Sequence, residues 1–508
     1  MRPRRSALRL LLLVALLPGA GCRAAVGLHW PVPPPPPLRA AAPELWVALA
    51  ARLGPAPAPA GQTQAPPPLR LRAEAGTLTL VTPQGQRFMA PELVLHWRWQ
   101  PLADPLLIRR RVLGPFASYE SAEAVASRWR ALGVRPLIAH PRDWEVWAPA
   151  DAPAPAGLTP LLLERRLSQR LVLELRRSQG VVPLDSPLQL MAPQGLRWNG
   201  GVYGGPFRLQ ADAHGGWTLL EQVPLERYLA GVVPHEIGAG APAAALAAQA
   251  VLARTWALRN RQRFAVDGYH LCADTQCQVY SDPRQAGPAV SQAIAATRLQ
   301  VLTWQNRPIQ AVYHASNGGV IAAYPEAWGG NSLPYLKPAA DGPAPLRRLA
   351  PVPLPASALP ALLAAGGQAW GADHPLFRWT RLLDADTITA ALGPLAAGLG
   401  SVNTLQVVER GPSGRVTALL IRGSRGQLVL RRDAIRRQLR QLPSTLFLVE
   451  RTGPGRWLLR GGGFGHGAGL SQAGAIDLAR RGWDWPRILA HYYPGTQLQP
   501  IQTLDGAP

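Results

Sequence analysis

The sequence of 508 residues lacks a long hydrophobic run, an internal repeat and nearly all lysine. The apolar run from Leu10 to Leu17 is too short for a membrane-spanning helix, which needs about 20 residues. The absence of a repeat period excludes a solenoid or a propeller. Lys337 is the only lysine, so the formal net charge of +23 comes almost entirely from arginines, which are scattered along the chain. Nucleic-acid-binding proteins cluster their positive charge, so we expect no nucleic-acid partner and favour an anionic polymer.

The first residues are typical of an exported protein. Arg2, Arg4 and Arg5 precede the apolar run, and small residues follow it, which predicts that residues 1–29 are a signal peptide or an N-terminal anchor. Cys22 loosely resembles a lipoprotein cleavage site, although no large aliphatic residue stands three places upstream. Lipidation, plain secretion and an uncleaved anchor all stay open. We expect an extracytoplasmic location, in the periplasm or cell envelope, with the membrane contacted only through this segment.

Composition then predicts the domain organisation. Residues 30–69 are rich in proline and alanine, with five consecutive prolines from Pro33, and are predicted to form a linker. Residues 70–160 are predicted as an N-terminal region, and residues 165–502 as the main domain with a surface insertion at 343–374. The expected fold class is α+β. It comprises a mixed α/β main domain with a strand-rich N-terminal part, preceded by a small βαβ-like subdomain.

The βαβ-like subdomain is predicted from residues 106–150. A strand ends near Phe116, and a helix capped by Ser118 and ended by Gly133 follows it. Its apolar residues lie at helical spacing, and they are Ala122, Val125, Ala126, Trp129 and Leu132. The segment resembles part of the sporulation-related repeat domain, a family that binds glycan strands stripped of peptides. A small packing subdomain without a ligand is the alternative.

The most informative block runs from Val223 to Leu258. Pro242 suits the first turn of a helix, and the Ala/Leu-rich sequence after it strongly favours one, so Glu236 is predicted to lie in a loop just before this helix. A carboxyl with a tuned pKa can deliver the proton that glycosidic bond cleavage needs. The bland alternative is a loop carboxylate that complements the positive end of the helix and has a lowered pKa.

This block resembles the family of stage II sporulation protein D, whose members cleave glycan strands lacking stem peptides. Further blocks of the resemblance occur in order, at residues 278–280, 311–319, 326–330, 443–447, 463–475 and 491–495. The resemblance implies a lytic transglycosylase that acts on peptide-free peptidoglycan strands between MurNAc and GlcNAc, with Glu236 as the single acid and base. It also implies a set of substrate-binding residues, namely Arg254, Tyr313, His314, Ser316, His466, Ser471 and Gln472.

Two other functions stay open. Related amidase enhancers suggest a glycan-binding protein without its own activity that stimulates a cell-wall amidase, an N-acetylmuramoyl-L-alanine amidase, as its partner. The protein could instead be a structural scaffold of the cell envelope, a role that would not require Glu236. Arg254, His314 and His466 each have a structural alternative as well, as a surface arginine, a buried histidine and a residue of a glycine-rich turn.

A further motif concerns His270, Cys272 and Cys277. Two thiolates and an imidazole within eight residues can supply three ligands of a structural zinc ion, and some family members carry such a set. Outside the cytoplasm the same two cysteines can instead form a disulfide. The implied glycan chemistry itself requires no cofactor.

Overall fold

The computed structural model describes residues 25–39, 42–55, 66–365 and 367–504. Residues 1–24 of the predicted signal segment, with Cys22, and residues 56–65 of the predicted linker lie outside these ranges. No helix within the described ranges is long and apolar enough to cross a membrane. Helices and mostly antiparallel strands both contribute extensively, which confirms the predicted α+β class.

Strands dominate the described chain before residue 225. In the strands Leu69–Ala73 and Leu188–Met191, alternate residues are buried, as expected where one face of a strand packs on a core. The elements in chain order are β1 (Ala25–Gly27), β2 (Glu44–Leu53), β3 (Leu69–Ala73), β4 (Leu78–Val81), β5 (Arg87–Ala90), β6 (Glu92–Phe116), α1 (Tyr119–Arg130), β7 (Leu137–Ala139), β8 (Trp144–Pro149), β9 (Leu161–Arg177), β10 (Gly180–Leu184), β11 (Leu188–Met191), β12 (Leu196–Trp198), β13 (Gly201–Tyr203), β14 (Phe207–Ala211) and β15 (Trp217–Pro224).

These strands form two sheets. The first has the order β10-β9-β6-β3-β12-β13, with β1 and β8 also paired to β6 and β7 paired to β8. The second has the order β2-β15-β14-β11-β4-β5, and β16 (Leu271–Cys272) adds to it beside β2. Side chains of both sheets, such as Leu71 and Leu80, belong to one buried cluster, so the sheets share a core.

β2 lies within the residues predicted to form a linker. It pairs with β15, and its Leu45 and Val47 are fully buried in the shared core. The linker prediction therefore does not hold for Glu44–Leu53. The proline-rich sequence on both sides dominates the composition and conceals a strand of ten residues.

The helix predicted within residues 106–150 is α1. The Ser118 hydroxyl accepts a hydrogen bond from the Ser121 N–H at its start, and Ala122 and Trp129 are buried as predicted. Leu132 lies beyond the helix and is 48% exposed, which differs from the prediction. The segment is not a separate subdomain, because the 25-residue β6 pairs with β8 at one end and with β3 and β9 of the large sheet further along.

Helices and short strands alternate after residue 225. In chain order they are α2 (Leu225–Val233), α3 (Ala243–Arg259), α4 (Pro288–Ala296), β17 (Gln300–Trp304), β18 (Arg307–Pro308), β19 (Tyr313–His314), β20 (Val320–Ile321), α5 (Tyr324–Trp328), β21 (Ala339–Ala340), α6 (Ala344–Leu349), α7 (Leu359–Ala364), β22 (Arg378–Asp384), α8 (Ala385–Leu392), β23 (Val402–Arg410), β24 (Val416–Gly423), β25 (Gln427–Arg431), α9 (Asp433–Gln438), β26 (Phe447–Gly453), β27 (Arg456–Gly462), β28 (Leu470–Ser471), α10 (Gln472–Arg480), α11 (Trp485–Tyr492) and β29 (Gln497–Pro500).

The centre of this half is α3. Every residue from Ala245 to Leu258 is buried, and α2, α4, α10, α11 and β17 pack against the helix. A helix that is apolar all round belongs in an interior, and its many alanines let neighbouring elements approach closely. It begins directly after Pro242, as predicted.

The excursion from the main core is larger than the predicted insertion, residues 343–374. That stretch contains α6 and α7, whose Leu346 and Leu359 belong to a small separate cluster. The sheets β22-β27-β26 and β23-β24-β25 then enclose another core, which includes Ile421 and Trp457. The lobe therefore extends from α6 to the end of β27. It is separated from the main core because its strands form sheets with a core of their own, and this feature is not visible in the Pro/Ala-rich composition that predicted the insertion.

Candidate active site

Glu236 lies in a π-helical turn, Pro234–Gly238, between α2 and α3. The neighbouring Ile237 is buried in the main core, and Gly238 follows with a φ of +87°, a conformation that other residues rarely adopt. These neighbours hold the Glu236 side chain on the lining of a large cavity. The segment predicted as a loop is therefore a short helical turn anchored to the core.

The Glu236 carboxyl is shifted toward its protonated form. Burial raises its pKa to about 7, and hydrogen bonds from the Val279 N–H and the Tyr313 hydroxyl partly oppose this shift. The Val279 nitrogen lies 3.3 Å from Oε1 of Glu236. A carboxylate that only complemented a helix N-terminus would have a lowered pKa. A pKa near 7 is instead what a general acid needs at neutral pH.

A buried chain of hydrogen bonds orients the Tyr313 hydroxyl. The Tyr228 hydroxyl donates to Oε1 of Gln278 at 3.2 Å, and Nε2 of Gln278 donates to the Tyr313 oxygen at 2.8 Å. Tyr228 and Gln278 are both almost completely buried. Because the Tyr313 oxygen already accepts from Gln278, its own proton is available to the Glu236 carboxylate.

The cavity beside Glu236 has a volume of about 680 Å³. This size falls within the range of ligand-binding clefts, about 300–1,000 Å³. Aromatic side chains in such a cleft offer flat apolar faces with polar edges. The aromatic lining comprises Tyr119, Trp256, Tyr313, Trp328 and His466, and the charged lining, besides Glu236, comprises Glu120, Arg263, Asp433, Arg436, Arg437 and Arg440.

His466 contributes to the cavity as a neutral ring. Its Nε2 lies 2.8 Å from the Tyr313 carbonyl oxygen, and its Nδ1 accepts from the Ala468 N–H at 3.2 Å. Burial, with a smaller effect of the Arg436 charge, lowers the pKa of His466 to about 3. The ring centroid lies 4.7 Å from that of Trp328. His466 therefore positions Tyr313 through its backbone and adds apolar surface to the cavity.

The other carboxyl groups that line the cavity are engaged by neighbouring side chains. Glu120 pairs with Arg263 and accepts a hydrogen bond from Gln310 at 3.3 Å. Asp433 accepts from the hydroxyls of Ser118 and Ser121 at 2.6 and 2.8 Å. These contacts attach the start of α1 to the segment after α3 and to α9, and they leave Glu236 as the carboxyl available to a ligand in the described cavity.

Arg254 does not reach the cavity. It is completely buried on α3, where it forms a two-point ion pair with Glu226 at 2.7 and 2.8 Å and donates to the Gln300 carbonyl at 3.0 Å. Both the predicted substrate contact and the alternative of a surface arginine are therefore wrong. Arg254 instead joins α3, the start of α2 and β17.

Four other predicted residues are not part of the cavity lining. His314 is buried with Nδ1 3.1 Å from the Ala468 carbonyl oxygen, and burial holds its pKa well below the ordinary value. Ser316 is buried in a bridge to Phe464, and Ser471 caps α10 through the Gly474 N–H. Gln472 lies 3.4 Å from Gln249. Of the predicted substrate-binding residues, the structure places only Tyr313 and His466 on the cavity with Glu236.

The three predicted zinc ligands take up other contacts. Cys272 and Cys277 form a disulfide. The imidazole of His270 accepts from the Trp46 N–H at 2.8 Å through Nδ1 and lies 3.0 Å from the Pro36 carbonyl through Nε2. Both ring nitrogens are occupied, and no group of three metal-ligating side chains occurs among the described residues. The observed arrangement corresponds to the disulfide alternative and does not fit a zinc site.

Several cavity residues come from outside the motifs recognised in the sequence and were not predicted. Tyr119, Glu120 and Arg263 reach the cavity only because the end of β6 brings α1 against the segment after α3. The arginines of α9 carried a detectable signal. Asp433, Arg436 and Arg437 are spaced by three and one residues, which places them on one helix face, and Arg440 follows just after α9 ends.

Two family models match this chain, one in part of the main core and one across the lobe. A family model described as Stage II sporulation protein matches residues 213–304, and one described as a domain of unknown function matches residues 322–469. Stage II sporulation protein D of Bacillus amyloliquefaciens is 30% identical over 300 residues, covering 55% of this chain and 75% of that protein. The protein of the same name in Bacillus subtilis is 30% identical over 295 residues, with the same coverage of 55% and 75%.

A Bacillus subtilis protein named amidase enhancer is 26% identical over 289 residues, covering 53% of this chain and 40% of that protein. The first family match contains Glu236 and Gln278, and the second contains Arg436 and His466. The two matches therefore include part of the cavity lining, whereas Tyr119, Glu120 and Tyr313 lie outside both. The chain belongs to the family of stage II sporulation protein D and the amidase enhancer.

Proposed function

We propose that the protein is a lytic transglycosylase that cleaves peptide-free peptidoglycan strands between MurNAc and GlcNAc. The observation that carries the proposal is the position of the Glu236 carboxyl on the lining of a cavity with aromatic walls, where burial raises its pKa to about 7. A carboxyl with this pKa can donate a proton at neutral pH and take one back. The cavity volume of about 680 Å³ accommodates sugar rings rather than a single small ion.

The reaction needs one carboxyl in two roles. The Glu236 carboxyl donates its proton to the glycosidic oxygen as the bond between this oxygen and the anomeric carbon breaks. The resulting carboxylate then removes the proton of the MurNAc 6-hydroxyl while that oxygen bonds to the anomeric carbon. The products are a 1,6-anhydro-muramyl end and a free 4-hydroxyl, and Glu236 is protonated again. No water is consumed, so a second carboxyl to activate water is unnecessary.

Residues around Glu236 support both roles. The Tyr313 hydroxyl and the Val279 N–H stabilise the carboxylate that exists between the two proton transfers. The aromatic faces of Trp256 and Trp328 provide surfaces for the apolar faces of sugar rings. Residues 117–120 at the start of α1 line the same cavity, which supports a glycan contact by the segment 106–150.

Mass spectrometry of soluble products tests the proposal. The purified protein is incubated with peptidoglycan from which an amidase has removed the stem peptides. Anhydro-muramyl products are expected from the wild type and from Glu450→Gln, a remote and exposed carboxyl, but not from Glu236→Gln. Absence of these products from the wild type would reject the enzyme activity.

A second function is favoured by the relative named amidase enhancer. In that case the cavity would bind glycan without cleaving it, and the protein would stimulate a separate cell-wall amidase. Stimulation of amidase activity that persists in Glu236→Gln, with no anhydro-muramyl product from the wild type, would select this function. Either function requires an extracytoplasmic or envelope location, which we propose on the basis of the cell-wall role of the family.

A further inference from the structure

α9 brings positive charge to the cavity that contains Glu236. Asp433, Arg436, Arg437 and Arg440 all line this cavity. The spacing of the first three places them on one side of α9, and Arg440 lies in the turn just after α9 ends at Gln438. They belong to the lobe that carries its own buried core, not to the segment that carries Glu236. The lobe therefore contributes a distinct charged surface to the site.

Two of these arginines have no partner among the residues that the structure describes. Arg437 pairs with Asp143, and Asp433 accepts hydrogen bonds from Ser118 and Ser121. Arg436 and Arg440, in contrast, form no ion pair or hydrogen bond with another described residue, and Nε of Arg436 is buried without an acceptor. Burying a charged group away from water is unfavourable unless an opposite charge meets it. Asp433 offsets the charge of Arg436 only in part, and its hydrogen bonds come from Ser118 and Ser121, so Arg436 is able to bind an anionic ligand together with the exposed Arg440.

The charge of Arg436 acts on a group that lies beside Tyr313 in the cavity. It contributes to the lowered pKa of His466, whose ring contacts the Tyr313 backbone. An anion bound by Arg436 would consequently lie in the same cleft as the sugar that meets Glu236. This placement distinguishes Arg436 from the many arginines scattered over the protein surface.

The chemistry of the proposed substrate supplies such an anion. In peptide-bearing peptidoglycan, the lactyl ether of each muramyl residue is joined to the stem peptide through a neutral amide. Removal of the peptide by an amidase leaves a free carboxylate on every second sugar. Guanidinium groups bind carboxylates through paired, charge-assisted hydrogen bonds, and a neutral amide cannot replace them.

We propose that Arg436 and Arg440 form a carboxylate subsite that recognises the free lactyl group of denuded glycan. The inference rests on the proposed function, because it assigns a feature of that substrate to this cavity. This carboxylate subsite gives a physical reason for a preference for peptide-free strands. The protein would select denuded strands by the negative charge of the lactyl carboxylate, and also by the space that the missing stem peptide leaves free.

A binding experiment tests the subsite without relying on cleavage. Glu236→Gln protein is titrated with glycan oligomers from amidase-treated peptidoglycan, and with the same oligomers after reduction of their lactyl carboxyls to alcohols. The parent is expected to bind the carboxylate form at least about tenfold more tightly, the magnitude of one charge-assisted contact. Adding Arg436→Gln and Arg440→Gln is expected to bring the ratio close to 1 and to change binding of the reduced oligomers little.

Matched variants separate the subsite from general charge. Arg425→Gln with Arg460→Gln removes two exposed positive charges that do not line the cavity, and it is expected to keep the parental ratio. Arg440→Gln alone changes an exposed residue, so it tests the subsite even if the Arg436 variant folds poorly. Its ratio is expected to fall several-fold.

Two results would overturn the inference. One is equal binding of both oligomers by the parent, and the other is an undiminished ratio in the folded Arg436→Gln/Arg440→Gln variant. Failure of the transglycosylase proposal is seen separately, as absence of anhydro-muramyl products from the wild type. A preference for the carboxylate that depends on α9 would survive that failure and would describe a glycan-binding protein.

Discussion

Two parts of the cavity lining are built in different ways. The floor, defined as Glu236, Gln278 and Tyr313, comes from segments embedded in or hydrogen-bonded to the main core. The arginine wall, defined as Arg436 and Arg440, comes from a lobe with a separate core. The floor has internal partners for its polar groups, whereas the wall leaves two guanidinium groups for a ligand. Under the proposed function, chemistry therefore belongs to residues held by the main core, and substrate recognition belongs to residues of a lobe with its own core.

The largest expected effect is a difference in kinetics between variants of the floor and variants of the arginine wall. Glu236→Gln is expected to lower the cleavage rate by about 10²–10⁴-fold, the usual contribution of a general acid and base, while glycan affinity is retained. Arg436→Gln with Arg440→Gln is expected to weaken binding of denuded glycan and largely preserve the rate at saturation. Initial rates against glycan concentration measure both. A large loss of the saturated rate in the arginine variant would break the comparison.

The next effect concerns the core beneath the floor. Arg254→Met leaves Glu226 in a largely buried position without its ion-pair partner, which typically costs about 3–5 kcal/mol of unfolding free energy. Urea unfolding measures the change. Arg425→Gln, an exposed arginine, should change the unfolding free energy by no more than about 0.5 kcal/mol. Equal stability of Arg254→Met and the wild type would mean that this ion pair does not stabilise the core beneath the floor.

The raised pKa of Glu236 predicts a pH dependence of activity. The acid must be protonated before it donates, so cleavage is expected to decline as the pH rises through about 7. A pH–rate profile of kcat/KM measures the decline in free enzyme. An unchanged rate from pH 6 to 9 would assign the proton donor elsewhere.

The same shift predicts a pH dependence of stability. The pKa of Glu236 is about 7 in the folded protein and near 4.5 for an ordinary carboxyl, so the folded state binds more protons between these values. The stabilisation from the protonated group is full below pH 4.5 and is lost as the pH rises through 7. Unfolding of the wild type and Glu236→Gln at pH 5 and pH 8 measures this, and the variant should lose less stability across the interval.

The smallest effect should come from the hydroxyl that contacts Glu236. Tyr313→Phe removes a hydrogen bond that lowers the Glu236 pKa, so the alkaline decline of the pH–rate profile should move upward by a fraction of a pH unit. The aromatic surface of the cavity is preserved in this variant. A downward movement would indicate that the Tyr313 hydroxyl does not stabilise the carboxylate.

Local patterns were sufficient to predict several elements and one residue of the candidate site. Ser118 and Pro242 marked the starts of two helices, since capping and proline preferences act within a few residues. Glu236 was found because it lies inside a continuous motif. Its raised pKa was not predictable from that motif, because burial arises from packing with residues far away in the chain.

The sequence by itself determined the α+β class, the family resemblance and the positions of Glu236, Tyr313 and His466. Tertiary structure alone decided that Arg254 is a buried partner of Glu226, and that Glu44–Leu53 is a core strand instead of part of a linker. It also decided that α1, α3 and α9 meet at one cavity. Periodicity and capping depend on neighbours in sequence, whereas pairing, burial and cavity lining depend on residues that folding brings together.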